Sequence, residues 1–139
     1  MKVLLDTNVV LDVLLKRGEW LVEAEAVWQA SLDGRLESCI TASSLTDIYY
    51  IGRRLVGGQA AREALRKCLD VLTILPVDEE TLEAAYALTA SDFEDGLQIA
   101  SAVRHGAEAI VTRDPDDFAG APVRVWSPTE LAASLRHEG

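Results

Sequence analysis

The sequence has 139 residues, 49% of them hydrophobic, and a formal net charge of −10. That length is typical of one domain, here residues 1–139, and the hydrophobic content excludes a largely disordered chain. No apolar run approaches the roughly 20 residues of a membrane-spanning helix, and the N-terminus lacks a signal-peptide pattern. Cys39 and Cys68 lie in apolar segments, so we interpret them as core residues of a cytoplasmic protein.

In chain order, short apolar runs that predict buried strands alternate with segments of helical periodicity. The strands are predicted at residues 2–6, 37–41, 72–75, 108–112 and 123–125. Helices are predicted at residues 9–15, 19–33, 43–55 and 60–69, and in three segments that begin after Asp78, Asp92 and Ser127. The last start is the most specific, because Ser127, Pro128 and Glu130 form a capping-box pattern. This alternation predicts an α/β fold with a mostly parallel sheet covered on both faces.

The net charge of −10 argues against a nucleic-acid partner, but the charges are unevenly distributed along the chain. Residues 48–67 contain five basic side chains and one acid, whereas residues 77–97 contain seven acids and no base. One face could therefore meet phosphate while another holds a metal ion, although a solvated helix surface explains most individual charges. The basic side chains are Arg53, Arg54, Arg62, Arg66 and Lys67.

Four aspartates fall where a parallel sheet would bring them to one edge. Asp6 ends the first predicted strand, and Asp114 follows the fourth. Asp95 lies in the first turn of the helix that leads to that fourth strand, and Asp47 lies early in the helix after the second strand. Sites in open parallel sheets form at the carboxyl ends of the strands. We therefore expect the four carboxylates to converge.

A converging carboxylate cluster favours a divalent cation, because like charges packed together repel each other. Mg²⁺ takes oxygen ligands and is usually bound by one or two carboxylates, waters and a substrate phosphate. Four further residues are candidates for supporting roles around the acids, with Asn8 placed to orient the Asp6 carboxylate or a water. They are Asn8, Asp92, Thr112 and Asp117.

Each aspartate also has a purely structural explanation. Asp6 could cap a turn, and Asp95 follows the helix-cap candidate Asp92 by three residues, where helix electrostatics favour a carboxylate. Asp114 precedes Pro115, a common turn arrangement.

Asp47 has the weakest case of the four. The apolar stripe of its helix runs through Leu45, Ile48, Tyr49 and Gly52, and Asp47 projects nearly opposite to it. This geometry favours a solvent-facing side chain.

Four segments together resemble the acidic motifs of the PIN-domain family. They are residues 4–12 (LLDTNVVLD), 44–50 (SLTDIYY), 93–102 (FEDGLQIASA) and 111–118 (VTRDPDDF). Each motif alone is short, but the four occur in the family's order and span essentially the whole chain. The sequence is similar in its compact form to the VapC-like toxins of that family.

The resemblance implies a three-layer α/β/α fold with a central sheet of about five strands, and RNA cleavage with Mg²⁺ or Mn²⁺. It implies a homodimer and a small antitoxin partner. By motif position, Asp6, Asp95 and Asp114 would bind metal, and Asp47 would bind metal or position water. The sequence departs from the family pattern in having Asp47 where Glu is frequent and Gly96 where Ala is usual. It also has Asp114 where many relatives have Asn, and Asp117 stands nearby as a substitute.

Three alternative functions remain open on the sequence alone. A phosphohydrolase with an aspartate nucleophile would need a second Asp two residues after Asp6, where Asn8 stands. A PIN-like module whose chemistry has lapsed would bind RNA or protein without cleaving. A receiver-like signalling domain would need a phosphoacceptor Asp after a middle strand, where Ile74, Leu75 and Pro76 offer none.

Overall fold

The structure is a computed structural model that describes residues 1–90 and 92–138. The strands are β1 (Lys2–Leu5), β2 (Glu37–Thr41), β3 (Thr73–Leu75), β4 (Ala109–Val111) and β5 (Arg124–Trp126). The helices are α1 (Thr7–Leu14), α2 (Leu21–Leu32), α3 (Ala42–Val56), α4 (Gly58–Val71), α5 (Glu79–Ala87), α6 (Phe93–Arg104) and α7 (Pro128–Glu138). The sequence prediction missed one element, a 3₁₀ helix over Pro115–Phe118.

The strands form a five-stranded sheet in the order β3-β2-β1-β4-β5, and every neighbouring pair is parallel. The predicted α/β fold with about five strands is therefore confirmed. Strand β1 lies at the centre, where Leu4 is in register with Cys39 of β2 and Ile110 of β4. The chain moves outward from β1 to β2 and β3, then crosses back to β4 on the other side of β1. Such a reversal of strand order opens a crevice at the carboxyl ends of the strands.

Successive residues of β1 point into two different cores, which shows the three-layer arrangement directly. Val3 and Leu5 pack in a core with α1, α2 and α7 on one face of the sheet. Leu4 packs in a second core on the other face, with Ile99 and Ala102 of α6. Both cysteines are free and buried, as predicted for core residues, and burial raises the pKa of the Cys68 thiol to about 12.

The helix starts follow the side-chain caps that the sequence predicted. Asp78 accepts a hydrogen bond from the Thr81 N–H, and Asp92 accepts one from the Glu94 N–H. Ser127 and Glu130 exchange two hydrogen bonds of 3.1 Å, which is the reciprocal pattern of a capping box. Within residues 1–90 and 92–138, no helix combines the length and apolar character needed to cross a bilayer.

Candidate metal centre

A cleft of about 450 Å³ opens at the carboxyl ends of β1 and β4. It contains six carboxylates, which come from four separate segments of the chain. The four aspartates expected to converge are all among them. The lining residues are Asp6, Thr7, Asn8, Asp47, Tyr50, Ile51, Arg54, Glu94, Asp95, Gln98, Asp114 and Asp117.

The Asp6 carboxylate is held at the centre of the cleft by three donors. Its Oδ1 accepts from the Thr7 N–H at 2.8 Å, which makes Asp6 the N-cap of α1, and from Gln98 Nε2 at 2.9 Å. Its Oδ2 accepts from the Thr112 hydroxyl at 2.8 Å. This cap explains why α1 begins at Thr7, earlier than the predicted residue 9. The three hydrogen bonds fix the direction of the carboxylate before any ligand binds.

Thr112 also connects Asp6 to Asp114, in the segment of residues 111–118. Its side-chain oxygen accepts from the Asp114 N–H at 3.0 Å while its hydroxyl donates to Asp6. Asp114 then leads into the 3₁₀ helix, whose Asp117 N–H donates to the Asp114 carbonyl at 3.1 Å. Because this turn is compact, both Asp114 and Asp117 line the cleft.

Asp47 lies on the wall of the cleft, as expected from its convergence with the other acids, and does not face open solvent as the apolar stripe of α3 favours. The residue is half-buried, because the side of α3 opposite its apolar stripe faces the acids of α6 rather than open water. Asp47, Tyr50, Ile51 and Arg54 share this side of α3 at helical spacing.

A buried chain of hydroxyl groups fixes the start of α3 against the turn that follows β1. The Thr41 hydroxyl donates to Ser44 Oγ at 3.0 Å, and the Thr7 hydroxyl donates to the same oxygen at 3.0 Å. The Ser44 N–H in turn donates to Thr41 Oγ1, which caps the helix. This network joins the segments that carry Asp6 and Asp47.

Helix α6 brings two adjacent acids to the cleft, of which the sequence indicated only one. Burial and then the nearby carboxylates of Asp92, Asp117, Asp6 and Asp114 raise the pKa of Asp95 to about 6. Burial and then Asp47 also raise the pKa of Glu94. These shifts show that the acids crowd one another across the cleft.

The predicted supporting residues occupy different positions around the acids. Asn8 and Asp117 line the cleft, whereas Thr112 lies behind Asp6 as its hydrogen-bond donor. Asp92 is the exposed N-cap of α6 and is not a lining residue, so its effect on the cleft is through charge.

Sequence reasoning missed Gln98, Glu94, Tyr50 and Arg54. Gln98 had a readable signal, because it is a polar residue in an apolar helical stretch, three positions after Asp95. It is 2% exposed, and its amide reaches Asp6 from 92 residues away in the chain. Arg54 and Glu94 belong to the basic and acidic runs of the sequence, but no local pattern places them or Tyr50 in the cleft, since that depends on which side of each helix faces it.

Gly96 allows α6 to pack closely against Ala85 of α5 and against Ala90. A Cβ atom at this position would lie 3.3 Å from the Ala85 carbonyl oxygen and 3.6 Å from Ala90 Cβ. The missing side chain therefore lets the acid-bearing end of α6 approach α5 closely.

The donor set fits a hard divalent cation that keeps part of its water shell. In the described part of the chain, no group of three His, Cys, Asp or Glu side chains is already arranged to hold an ion. Mg²⁺ does not need such a cage, because one or two carboxylates, waters and a phosphate suffice. The six carboxylates of the lining and the raised pKa of Asp95 suit that mode of binding.

Removing one charge from this crowded cleft should stabilise the metal-free protein. The folded pKa of Asp95 lies above its ordinary value, so the native state holds this proton more tightly than the unfolded state. The contribution of Asp95 to the free energy of unfolding therefore falls as the pH rises from about 4 to about 6 and stays reduced above that. We expect Asp95→Asn to raise the free energy of unfolding at pH 7.5. The gain should be only about 1 kcal/mol, because Asp95 is partly exposed and solvent screens the repulsion.

Urea unfolding in EDTA at several pH values measures this effect. The increase in the free energy of unfolding caused by Asp95→Asn should disappear near pH 4, where the Asp95 carboxyl of the native protein is protonated. Asp116→Asn is the control, because Asp116 is exposed and does not line the cleft. A loss of stability in Asp95→Asn at pH 7.5 would show that the acids do not repel one another.

Together the fold and the cleft define an α/β/α domain with an acidic centre at the switch point of a parallel sheet. A sequence profile described as the PIN domain matches residues 2–116. The chain belongs to the PIN domain family.

Solved structures of toxin–antitoxin proteins share this fold. A chain of a toxin–antitoxin complex from Klebsiella pneumoniae is 24% identical, with a TM-score of 0.68 over 91% of this chain and 97% of that chain. VapBC2 from Rickettsia felis, bound to a promoter DNA fragment, is 15% identical, with a TM-score of 0.69 over 91% and 98%. Mycobacterium tuberculosis VapC20, described as a toxin that cleaves the sarcin–ricin loop, is 17% identical, with a TM-score of 0.68 over 84% and 93%. Comparison with curated proteins found no match.

Proposed function

We propose that this protein is a metal-dependent endoribonuclease that cleaves RNA phosphodiester bonds, and that it is the toxin of a toxin–antitoxin pair. One observation carries the nuclease proposal. Six carboxylates from four chain segments line one cleft, and the central one, Asp6, is held by three hydrogen-bond donors. Membership of the PIN domain family supports the same chemistry.

In this proposal Asp6, Asp95 and Asp114 hold Mg²⁺ or Mn²⁺, and Asp47 binds the metal or positions the attacking water. A bound divalent ion would supply charge neutralisation at the phosphate and a more acidic water. The chain's own contribution is orientation, because the Thr7 N–H, Gln98 and Thr112 keep Asp6 aimed into the cleft. Asn8 and Asp117 are proposed to orient waters or the ligand carboxylates from the cleft wall.

The cleft favours this function over a phosphohydrolase with an aspartate nucleophile. Such an enzyme pairs its nucleophile with a second Asp two residues further on, and Asn8 lines the cleft at that position. A PIN-like module that binds without cleaving would not require six crowded carboxylates, whose repulsion destabilises the fold. Activity measurements separate that alternative from the nuclease.

The proposed partners are supported by the solved structures that share this fold, one of which is described as a toxin–antitoxin complex. We propose a small antitoxin protein as the inhibitor of this chain and a homodimer as its assembled form, in the cytoplasm. Sedimentation of the purified protein, alone and with the product of an adjacent short reading frame, tests both partners. A monomer at all concentrations would exclude the homodimer.

The nuclease proposal predicts RNA cleavage that depends on an added divalent ion. Purified protein should cleave a mixed RNA substrate with Mg²⁺ or Mn²⁺, lose activity in EDTA, and regain it when the ion is restored. Asp95→Asn should reduce the rate by about 100-fold or more, because even residues that only support metal ligands contribute 10–100-fold. Asp116→Asn, next to the cleft but outside it, should cleave like wild type.

A second readout makes the metal site testable without activity. Binding to the native state alone raises the free energy of unfolding, by about 2.7 kcal/mol at 100 times Kd. Mn²⁺ should therefore raise the melting temperature of wild type much more than that of Asp95→Asn. Equal shifts in both proteins, or cleavage that persists in EDTA, would contradict the proposed mechanism.

A further inference from the structure

We propose that Tyr50 and Arg54 of α3 form the start of a track for single-stranded RNA, which continues from the acidic cleft into the neighbouring groove between α3 and α4. This inference rests on the proposed ribonuclease function and names residues that select the substrate.

Arg54 is placed to bind an anion that the protein itself does not supply. It is the basic member of the set of described residues that line the cleft, among six carboxylates. Yet it forms no ion pair or hydrogen bond with any described residue, unlike Arg66, which pairs with Asp70 at 3.0 Å. An exposed guanidinium beside a metal-binding centre is well suited to the phosphate next to the cleaved one.

Tyr50 supplies the aromatic surface that a single strand requires. It is 60% exposed and lies one helical turn before Arg54, on the same side of α3. Its ring makes an edge-to-face contact with Tyr49, with 5.2 Å between the ring centres. Exposed aromatic rings bind unstacked bases with little sequence preference, and only a single strand can present such bases.

Tyr50 is also the residue shared by two adjoining depressions in the surface. It lines the acidic cleft and, on its other side, a groove of about 280 Å³ between α3 and α4. That groove contains Tyr49, Leu65 and Arg62, and Arg62 has no ion pair among the described residues. Phosphate-binding and stacking groups therefore alternate along one path, which accounts for part of the basic segment on α3 and α4 despite the net charge of −10.

Binding of a labelled, short single-stranded oligoribonucleotide tests the track without cleavage. Binding is measured by fluorescence anisotropy in buffer that contains Mg²⁺. Every variant also carries Asp95→Asn, so that the RNA is bound but not cleaved. We expect Tyr50→Ala and Arg54→Ala each to weaken binding by about 5-fold or more at about 0.1 M salt, and Tyr50→Phe to bind normally because the ring remains. The slope of log affinity against log salt should fall by about 0.7 in Arg54→Ala, the contribution of one phosphate contact.

Arg53→Ala is the matched control. Arg53 is exposed, adjacent on the same helix and equally charged, but it lines neither depression. If Arg53→Ala and Arg54→Ala lost equal RNA affinity, the effect would come from net positive charge rather than from the position of Arg54, and the inference would be overturned. Equal affinity for a duplex of the same length would also overturn it. Unchanged RNA binding combined with weakened binding of the purified antitoxin would overturn it and assign this surface to a protein partner.

The outcome separates this inference from the proposed function. If wild type cleaves RNA and Tyr50→Ala and Arg54→Ala cleave equally well, the track is wrong and the nuclease stands. If wild type fails to cleave with any divalent ion but RNA binding depends on Tyr50 and Arg54, the track is a binding surface and the nuclease proposal fails.

Discussion

Asp6→Asn is expected to reduce RNA cleavage by about 100-fold or more while leaving the fold nearly as stable as wild type. The substitution removes one charge from the proposed metal site without removing the side chain. Asparagine is as good an N-cap as aspartate, so the hydrogen bond from the Thr7 N–H should survive. The new amide would face the Thr112 oxygen, whose hydroxyl can rotate to accept it. Loss of activity can then be assigned to loss of charge.

Asp78→Asn is the matched control for this experiment. Asp78 is also an N-cap aspartate and accepts from the Thr81 N–H at 2.9 Å, but it begins α5 and lies outside the cleft. It should keep wild-type cleavage and metal affinity. Steady-state cleavage rates and Mn²⁺ titrations of both variants provide the measurement. Full cleavage by Asp6→Asn would remove the central ligand from the proposed site and with it the metal mechanism.

Asp12→Ala is expected to lower the free energy of unfolding by about 3–5 kcal/mol, the usual effect of breaking a buried ion pair from one side. The Asp12 side chain is 0% exposed and lies between two arginines. Arg17 Nε is 3.3 Å from Oδ1, and Arg113 Nη1 is 3.4 Å from Oδ2. Removing the carboxylate would leave both cations near a buried site without their partner.

The two arginines should differ, because they are buried to different degrees. The Arg17 side chain is 37% exposed, so Arg17→Ala should cost about 1 kcal/mol or less. The Arg113 side chain is 23% exposed, and its Cζ lies 5.7 Å from the centre of the Trp20 ring. Arg113→Ala should therefore cost more than Arg17→Ala.

Arg113 also directly precedes Asp114, so this pair ties α1 to a segment of the acidic cleft. Urea unfolding of the three variants measures the order of their effects. A double-mutant cycle between Asp12 and Arg113 isolates their coupling. A loss below about 1 kcal/mol in Asp12→Ala would show that the pair contributes little.

The sequence alone determined the elements and the positions of the acids at their ends. Strands, helices and the caps at Asp78, Asp92 and Ser127 depend on neighbours in the chain, so local patterns predict them. The convergence of Asp6 and Asp114 was also predictable, because parallel strands align their carboxyl ends at one edge.

Only the tertiary structure decided what each acid faces and what holds it. The apolar stripe of α3 indicates one buried side, but it carries no information about a second element that packs against the opposite side. For that reason the stripe favours a solvent-facing Asp47, although the residue lines the cleft, and it does not predict that Arg54 lines the cleft with it. Gln98 donates to Asp6 across 92 residues, and Asp12 pairs with Arg113 at the far end of the chain. Such contacts depend on packing between helix and sheet, which spacing within one segment does not encode.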